Sequence, residues 1–358
     1  MKYAIILGTR PEIIKLSPII RFLENNKKDF FIIHTNQHYS QNMDEIFFNE
    51  LKLPKAQYNL NVGSAIHGKQ TGIMLQKIEE TLLTENPDFV FVQGDTNTVL
   101  AGALAGSKLK TKIIHVEAGL RSNDKNMPEE INRIVTDHIS DFLLCPTQNQ
   151  KTILINEGIN ENQIFVTGNT ISDAVEQNYK IALEESKIIN NLKIKQDEFM
   201  LLTMHRPSNV DIKENILSIF ESLSEIFKIS NKKVIFPIHP RTKNNIEKFN
   251  INIPDFIQTI EPVGYLDMLM LIKNACIIFT DSGGIQEEAC ILNKKSITLR
   301  ENTERAETID VGSSILTGPN KEKIVSGYLK HINNNNNTKW ENPFGINVTD
   351  KIFSIIEK

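Results

Sequence analysis

At 358 residues, with 40% apolar and 23% charged side chains, the chain is a globular one long enough to bury two cores rather than one. Its formal charge of −4 leaves no basic excess, so nucleic acid and acidic membrane surfaces have no global electrostatic support, and an anionic ligand must be held by local positive groups. The three cysteines form no CxxC or Cys/His spacing, which argues against a disulfide framework or a thiolate metal site and suits a reducing cytosol.

The chain opens MKYAIILGTRPE, where one lysine and five apolar residues precede Gly8. That run is too short for a signal segment or a membrane span and reads as a first strand. YAIIL (3–7), FFIIH (30–34), DFVFVQ (88–93), KIIHV (112–116), FLLC (142–145) and IFVTG (164–168) are continuous apolar runs expected to be strands. PEIIKLSPIIRFLENN, QKIEETLLTEN and PEEINRIVTDHISD, between them, have apolar residues at helical spacing. In the last of these, Pro128 starts the helix, Ile131, Ile134 and Val135 are expected to face the core, and Glu129 and Arg133 share a face one turn apart. After about 170 a charged helical stretch leads into FMLLTMH (199–205), KKVIFPIH (232–239), FIQTIEP (256–262), ACIIFTD (275–281) and KKSITLR (294–300). HINNNNNTKWENPFG reads as a low-complexity turn region and NVTDKIFSIIEK as a terminal helix. Apolar strands alternating with helices indicate two doubly wound α/β domains with parallel sheets covered on both faces. Residues 1–169, joined by the helix at 347–358, form the first, and 170–346 the second.

Open parallel sheets bind ligands beyond the carboxyl ends of their strands, and the chemically loaded residues of this chain cluster there. Gly8, Thr9 and Arg10 precede Pro11, so the first strand leads into a helix start that offers Arg10 and Lys15 to an anion, without the GxGxxG of a dinucleotide site. In DSGGIQEEA, Asp281 or Ser282 can cap a helix, while Gly283 and Gly284 open its N–H groups to a phosphate and Glu288 can accept from a ribose diol. Asp95 and Glu117 follow neighbouring strands; an ionised carboxylate at the end of a buried strand needs a partner or a task. His205 and His239 close apolar strands beside Arg206 and Arg241, whereas His34, His67, His138 and His331 read as structural or surface residues. No HExxH or carboxylate/His spacing marks a metal, which leaves the cation role to arginine, lysine and helix starts.

Taken in order, GTRPEIIK, GDT, HVEAGLR, PEEINR, DSGGIQEEA, TERAE and NPFG resemble the non-hydrolysing UDP-N-acetylglucosamine 2-epimerases over nearly the whole chain. The resemblance implies the GT-B fold, two Rossmann-like domains facing a central cleft. It implies interconversion of UDP-N-acetylglucosamine and UDP-N-acetylmannosamine by elimination of UDP to a 2-acetamidoglucal and re-addition, without NAD. It assigns Asp95, Glu117 and Glu129 as acid/base carboxylates with His205 assisting. Arg10, Lys15, Arg133, Ser282, Gly283, Gly284 and Arg305 are placed around the substrate and Glu288 on the ribose, while His239 is a candidate phosphate contact from its place at a strand end. The uracil is placed near 262–268, where relatives often have Gln at the position of Val263 and Phe at that of Met268, so only a backbone contact at 263 is carried over. A homodimer in the cytoplasm feeding surface polysaccharide or glycan synthesis is expected, and TNQHYSQNM (35–43) stands where relatives have part of an activating second pocket. The competing readings are a hydrolysing 2-epimerase, a GT-B glycosyltransferase and a nucleotide-sugar binding module.

Overall fold

The computed structural model describes residues 1–37, 41–333 and 340–357. Part of the 35–43 segment, the asparagine-rich stretch 334–339 of the expected turn region, and residue 358 of the expected last helix therefore lie outside the described residues. The chain divides into two compact units, Met1–Gln177 with Phe344–Lys358, and Asn178–Pro343. No helix of the described residues is long and apolar enough to cross a membrane.

The first unit is built on seven parallel strands: Lys2–Leu7 (β1), Asp29–His34 (β2), Tyr58–Asn59 (β3), Phe89–Gln93 (β4), Lys112–Val116 (β5), Phe142–Cys145 (β6) and Ile164–Val166 (β7). Their order is β3-β2-β1-β4-β5-β6-β7. Alternate residues of β1 serve opposite faces. Ala4 and Ile6 join Met74, Ile78, Val99 and Ala103 in one core layer, while Tyr3 lies on the other side against Phe89, Phe91 and Phe353. The helix Asn97–Lys108 lies close to the sheet because Gly106 has no side chain; a Cβ there would meet Ile113 Cδ1 at 2.5 Å. The terminal helix Val348–Ile356 packs on this unit. Its first turn is held by Asp173, which accepts from Val348 N at 3.2 Å and Thr349 N at 2.7 Å, and Phe353 stacks on Phe22 with ring centroids 4.0 Å apart.

The second unit repeats the scheme with Phe199–Thr203 (β8), Lys233–Pro237 (β9), Ile257–Ile260 (β10), Ile277–Thr280 (β11), Ser296–Thr298 (β12) and Ser314–Leu316 (β13), in the order β10-β9-β8-β11-β12-β13. All pairs in both sheets are parallel. In each unit strand order reverses once, at β1/β4 and at β8/β11, and the loops leaving these strands diverge there to open a crevice. Those loops carry Gly8–Arg10 with Gly94–Asp95 in the first unit, and His205–Arg206 with Asp281–Ser282 in the second.

Candidate active site

In the first unit two carboxylates stand just beyond paired strands, since β4 and β5 are in register through Gln93 and Val116, with Asp95 and Glu117 following them. Glu117 is buried and its backbone is left-handed, with φ 69°. A residue with a Cβ sustains that conformation at a cost of roughly 1–2 kcal/mol, and only where its surroundings enforce it. Here Glu117 N and Ala118 N both donate to Leu144 O at 3.1 Å. The side chain is equally constrained. Lys15 Nζ donates to both carboxylate oxygens at 2.7 Å, Asn169 Nδ2 donates at 3.3 Å, and Gln93 Nε2 supplies a further bond. Lys15, expected to face an anion at the helix start, is directed onto Glu117, and the pair supplies the countercharge an ionised carboxylate needs at this burial.

Asp95 is partnered by Arg133, whose other terminal nitrogen donates to Glu130 at 3.0 Å, while Asn132 Nδ2 donates to Asp95 O at 2.9 Å. Glu130 also accepts from Ser122 N and Asn123 N at 2.9 Å. Burial pushes its carboxyl upward, but these amides and Arg133 outweigh that and hold it below the ordinary carboxylate value. This corrects the expected rotation of the helix Pro128–Ile139. Arg133 pairs with Asp95 and Glu130, while the side chain of Glu129, one turn earlier, is half-buried and makes no hydrogen bond or ion pair among the described residues. Ile131 and Val135 are 52% and 37% exposed, and Ile134 is half-buried, because the inward face is taken by Glu130, Arg133, Thr136 and Asp137. The polar network, not the apolar stripe, sets the rotation of this helix.

The turns after β1 and β4 are tied by a residue that sequence reasoning passed over. Glu12 is buried and accepts from Gly8 N at 2.6 Å, Thr9 N at 3.1 Å and Thr96 Oγ1 at 2.6 Å. Burial pushes its carboxyl up to about 7 against those donors, and the negative charge of Asp95 acts in the same direction. Arg10, in the same turn, is exposed, with its guanidinium 5.2 Å from the Phe47 ring centroid.

In the second unit the buried Asp281 does not cap the helix. It accepts from His205 N at 3.0 Å, Arg206 N at 2.9 Å and Asn209 Nδ2 at 3.1 Å, and His205 Nδ1 lies 3.3 Å from Oδ1. Burial opposes its ionisation, yet His205 and the amides hold its carboxyl below the ordinary range. Ser282 takes the cap of the helix Gly283–Ile291, accepting from Ile285 N at 3.5 Å. His239 caps the helix Pro240–Lys248 through Nδ1, which accepts from Arg241 N at 3.2 Å, and its ring centroid lies 5.7 Å from that of His205. Burial first, then the nearby His205 and Arg241, lowers the pKa of His239.

A cluster of guanidinium groups accompanies the Gly283–Gly284 helix start. Arg206 has its pKa lowered by burial and then by repulsion from Arg300 and Arg305, so the three charges crowd one region. Arg300 Nη1 lies 3.9 Å from where a side chain on Gly283 would begin. Arg300 grips Glu304 through two bonds of 2.9 Å, and this pairing, opposed by burial, draws the Glu304 carboxyl down to about 2. Arg305 Nε is 2.7 Å from Glu287. Free helix N–H groups, small residues and several guanidiniums form an anion site suited to a diphosphate. Arg300 and the guanidinium of Arg206 were not among the sequence candidates, although both follow strands. Glu288 is buried on the same helix, whereas Val263 and Met268 are half-buried around the start of Tyr265–Asn274, which follows the edge strand β10.

Comparison with known proteins identifies the family. A family model described as UDP-N-acetylglucosamine 2-epimerase matches residues 21–357. UDP-N-acetylglucosamine 2-epimerase of Methanocaldococcus jannaschii is 59% identical over 96% of this chain and 95% of its own length. UDP-2,3-diacetamido-2,3-dideoxy-D-glucuronate 2-epimerase of Pseudomonas aeruginosa is 41% identical over 91% of this chain and 90% of its own. The crystal structure of the Methanocaldococcus jannaschii enzyme in complex with UDP-GlcNAc and UDP superposes with a TM-score of 0.87 at 57% identity, covering 100% of this chain and 99% of that one.

Proposed function

The chain belongs to the UDP-N-acetylglucosamine 2-epimerase family, and from that premise we propose that it is a non-hydrolysing epimerase, interconverting UDP-N-acetylglucosamine and UDP-N-acetylmannosamine. The observation that carries this reading is the placement of Asp95 and Glu117 at the ends of paired strands, each with a cationic partner.

The C2 proton of the sugar has no adjacent carbonyl to acidify it. As the C1–O bond breaks, its electron pair leaves with UDP, and positive character at C1 acidifies C2–H. One carboxylate then removes the proton, and the C–H pair becomes the C1=C2 double bond of 2-acetamidoglucal. Delivery of a proton to the opposite face of C2, with attack of a UDP oxygen on C1, gives the epimer. The route needs two acid/base positions and a grip on the leaving group. Asp95, Glu117 and Glu129 together supply the former. Arg10, Arg133, His205, His239, Ser282, Gly283, Gly284 and Arg305 hold the diphosphate and sugar, Glu288 the ribose, and the 262–268 segment the uracil. Lys15 acts through Glu117. We place the enzyme as a cytoplasmic homodimer that supplies N-acetylmannosamine units to a surface glycan.

The test is incubation of the pure protein with UDP-N-acetylglucosamine in D2O, followed by NMR. UDP-N-acetylmannosamine with deuterium at C2 is expected. Release of free N-acetylmannosamine with UDP would select the hydrolysing reaction, and unexchanged C2–H would overturn the proposal. The Pseudomonas aeruginosa relative makes the 2,3-diacetamido glucuronate nucleotide the appropriate competing substrate.

A further inference from the structure

The strained turn at Glu117 and the turn carrying Asp95 share an anchor that the proposed chemistry does not use. His115, the fourth residue of β5, is fully buried. Its Nδ1 lies 2.7 Å from Asp137 Oδ1 and its Nε2 lies 2.8 Å from Gly94 O. Gly94 immediately precedes Asp95, and its amide donates to Val116 O at 3.1 Å. Asp137 Oδ2 accepts from Gly119 N at 3.2 Å and lies 2.7 Å from Arg121 Nη1, while Arg121 also bonds Glu157 at 2.8 Å. Gly119 is itself left-handed at φ 82°, and a Cβ there would meet Gln150 O at 2.8 Å, so position 119, two residues past Glu117, admits no side chain.

The proton arrangement follows from these partners. A carbonyl oxygen can only accept, so Nε2 carries hydrogen. Asp137 Oδ2 receives Arg121 and Gly119 N–H, and the Arg121 guanidinium favours the carboxylate, which assigns the hydrogen between Oδ1 and the ring to Nδ1. A neutral ring has one N–H and cannot satisfy both contacts. Without the second N–H the half-buried Gly94 carbonyl or the buried Asp137 oxygen would lose its ring partner.

We propose that His115 is a positioning residue held as an imidazolium between Asp137 and Gly94, fixing the turns that carry Asp95 and Glu117. The ring reaches the Asp95 turn directly. It reaches the Glu117 turn through Asp137, whose second oxygen pins Gly119 and Arg121 two and four residues beyond the strained position. The inference rests on the epimerase reading for its kinetic consequence but not for its spectroscopic one.

The test uses the full-length wild-type protein with 15N-histidine, at neutral pH. Both ring nitrogens of His115 are expected in the protonated range, each coupled to its own hydrogen. A pyridine-like Nδ1 or Nε2 would overturn the proposal, whether or not any variant folds. His115→Gln, which offers one amide donor group, and Asp137→Asn should each lower kcat about 100-fold while KM and the Kd for UDP stay within about threefold. Retention of kcat within threefold in both variants would also overturn it. If wild-type protein fails to exchange C2–H in D2O, the epimerase reading fails while the 15N signature still stands, so the two failures are distinguishable.

Discussion

Lys15 and Glu117 form a buried charge pair whose removal in halves and as a whole gives different outcomes. At 2.7 Å and an effective dielectric near 20, their attraction is about 6 kcal/mol. Desolvation of the two ions, several kcal/mol each, offsets most of it. The intact pair is therefore worth little net stability, but removing one partner leaves the other with its desolvation penalty and without this attraction, costing about 3–5 kcal/mol. Lys15→Met takes the ammonium from a carboxylate that Gln93 and Asn169 also bond; Glu117→Gln takes the carboxylate from an ammonium that is 9% exposed. Each single variant should destabilise the first unit by about 3 kcal/mol, and the double variant by about 1 kcal/mol, a coupling readable as a double-mutant cycle. Amide hydrogen exchange by mass spectrometry on peptides covering β1, β4 and β5 is the assay. Exchange should rise about 100-fold in the singles and return to within about tenfold of wild type in the double. Turnover should stay depressed by about two powers of ten or more in Glu117→Gln and in the double, since charge neutrality does not replace an acid/base group. Additive destabilisation in the double would refute the pairing energetics, and an active double variant would remove Glu117 from the chemistry.

Glu12 has a carboxyl raised to about 7 from an ordinary 4.5 by burial. It is neutral in the fold where the unfolded chain is already ionised, so its contribution is fully present below pH 4.5 and is lost as pH rises through 7. The loss is about 3 kcal/mol at most. Urea unfolding of wild type and Glu12→Gln across pH 4–8 should show this component vanish in the variant; equal slopes would refute it. His239, lowered by burial and then by His205, should titrate below its ordinary 6.5 in NMR and move partway back in His205→Gln; no movement would break their coupling. Arg300→Ala should weaken UDP binding about 10–100-fold in calorimetry, with a shallower salt dependence. Unchanged affinity would exclude Arg300 from the anion site. Ile131→Ser should leave stability within about 0.5 kcal/mol, because that side chain is already exposed.

The main strands were legible because continuous apolar runs between polar turns have few other uses. β3 and β13, at two and three residues, were too short to carry a period and exist through their neighbours in the sheet. The helix Asn97–Lys108 is masked by glycines whose purpose, close approach to Ile113 and the sheet, is visible only in three dimensions. At the site, the position of Asp95 and Glu117 after buried strands was readable, since charge beside an apolar run stands out. Their partners were not. Lys15 is 102 residues from Glu117 and Arg133 is 38 from Asp95, and no local rule connects them. Arg300 had a readable signal, its place at the end of KKSITLR, that went unused.

Local preferences fail where several polar demands converge, and the failures share one location. Glu117 takes a left-handed backbone, Glu12 is buried close to neutrality, and the helix Pro128–Ile139 turns charged residues inward while Ile131 faces water. Each alone opposes folding by an amount of order 1 kcal/mol or more. All three bear on the loops after β1, β4 and β5, next to the reversal of strand order. A fold selected only for stability would relax them, by glycine at 117, an apolar residue at 12, or a rotated helix. Keeping all three fixes several acids and cations on one side of a rigid sheet before substrate arrives. That preorganisation is what the proposed proton transfer to and from a weakly acidic carbon would require.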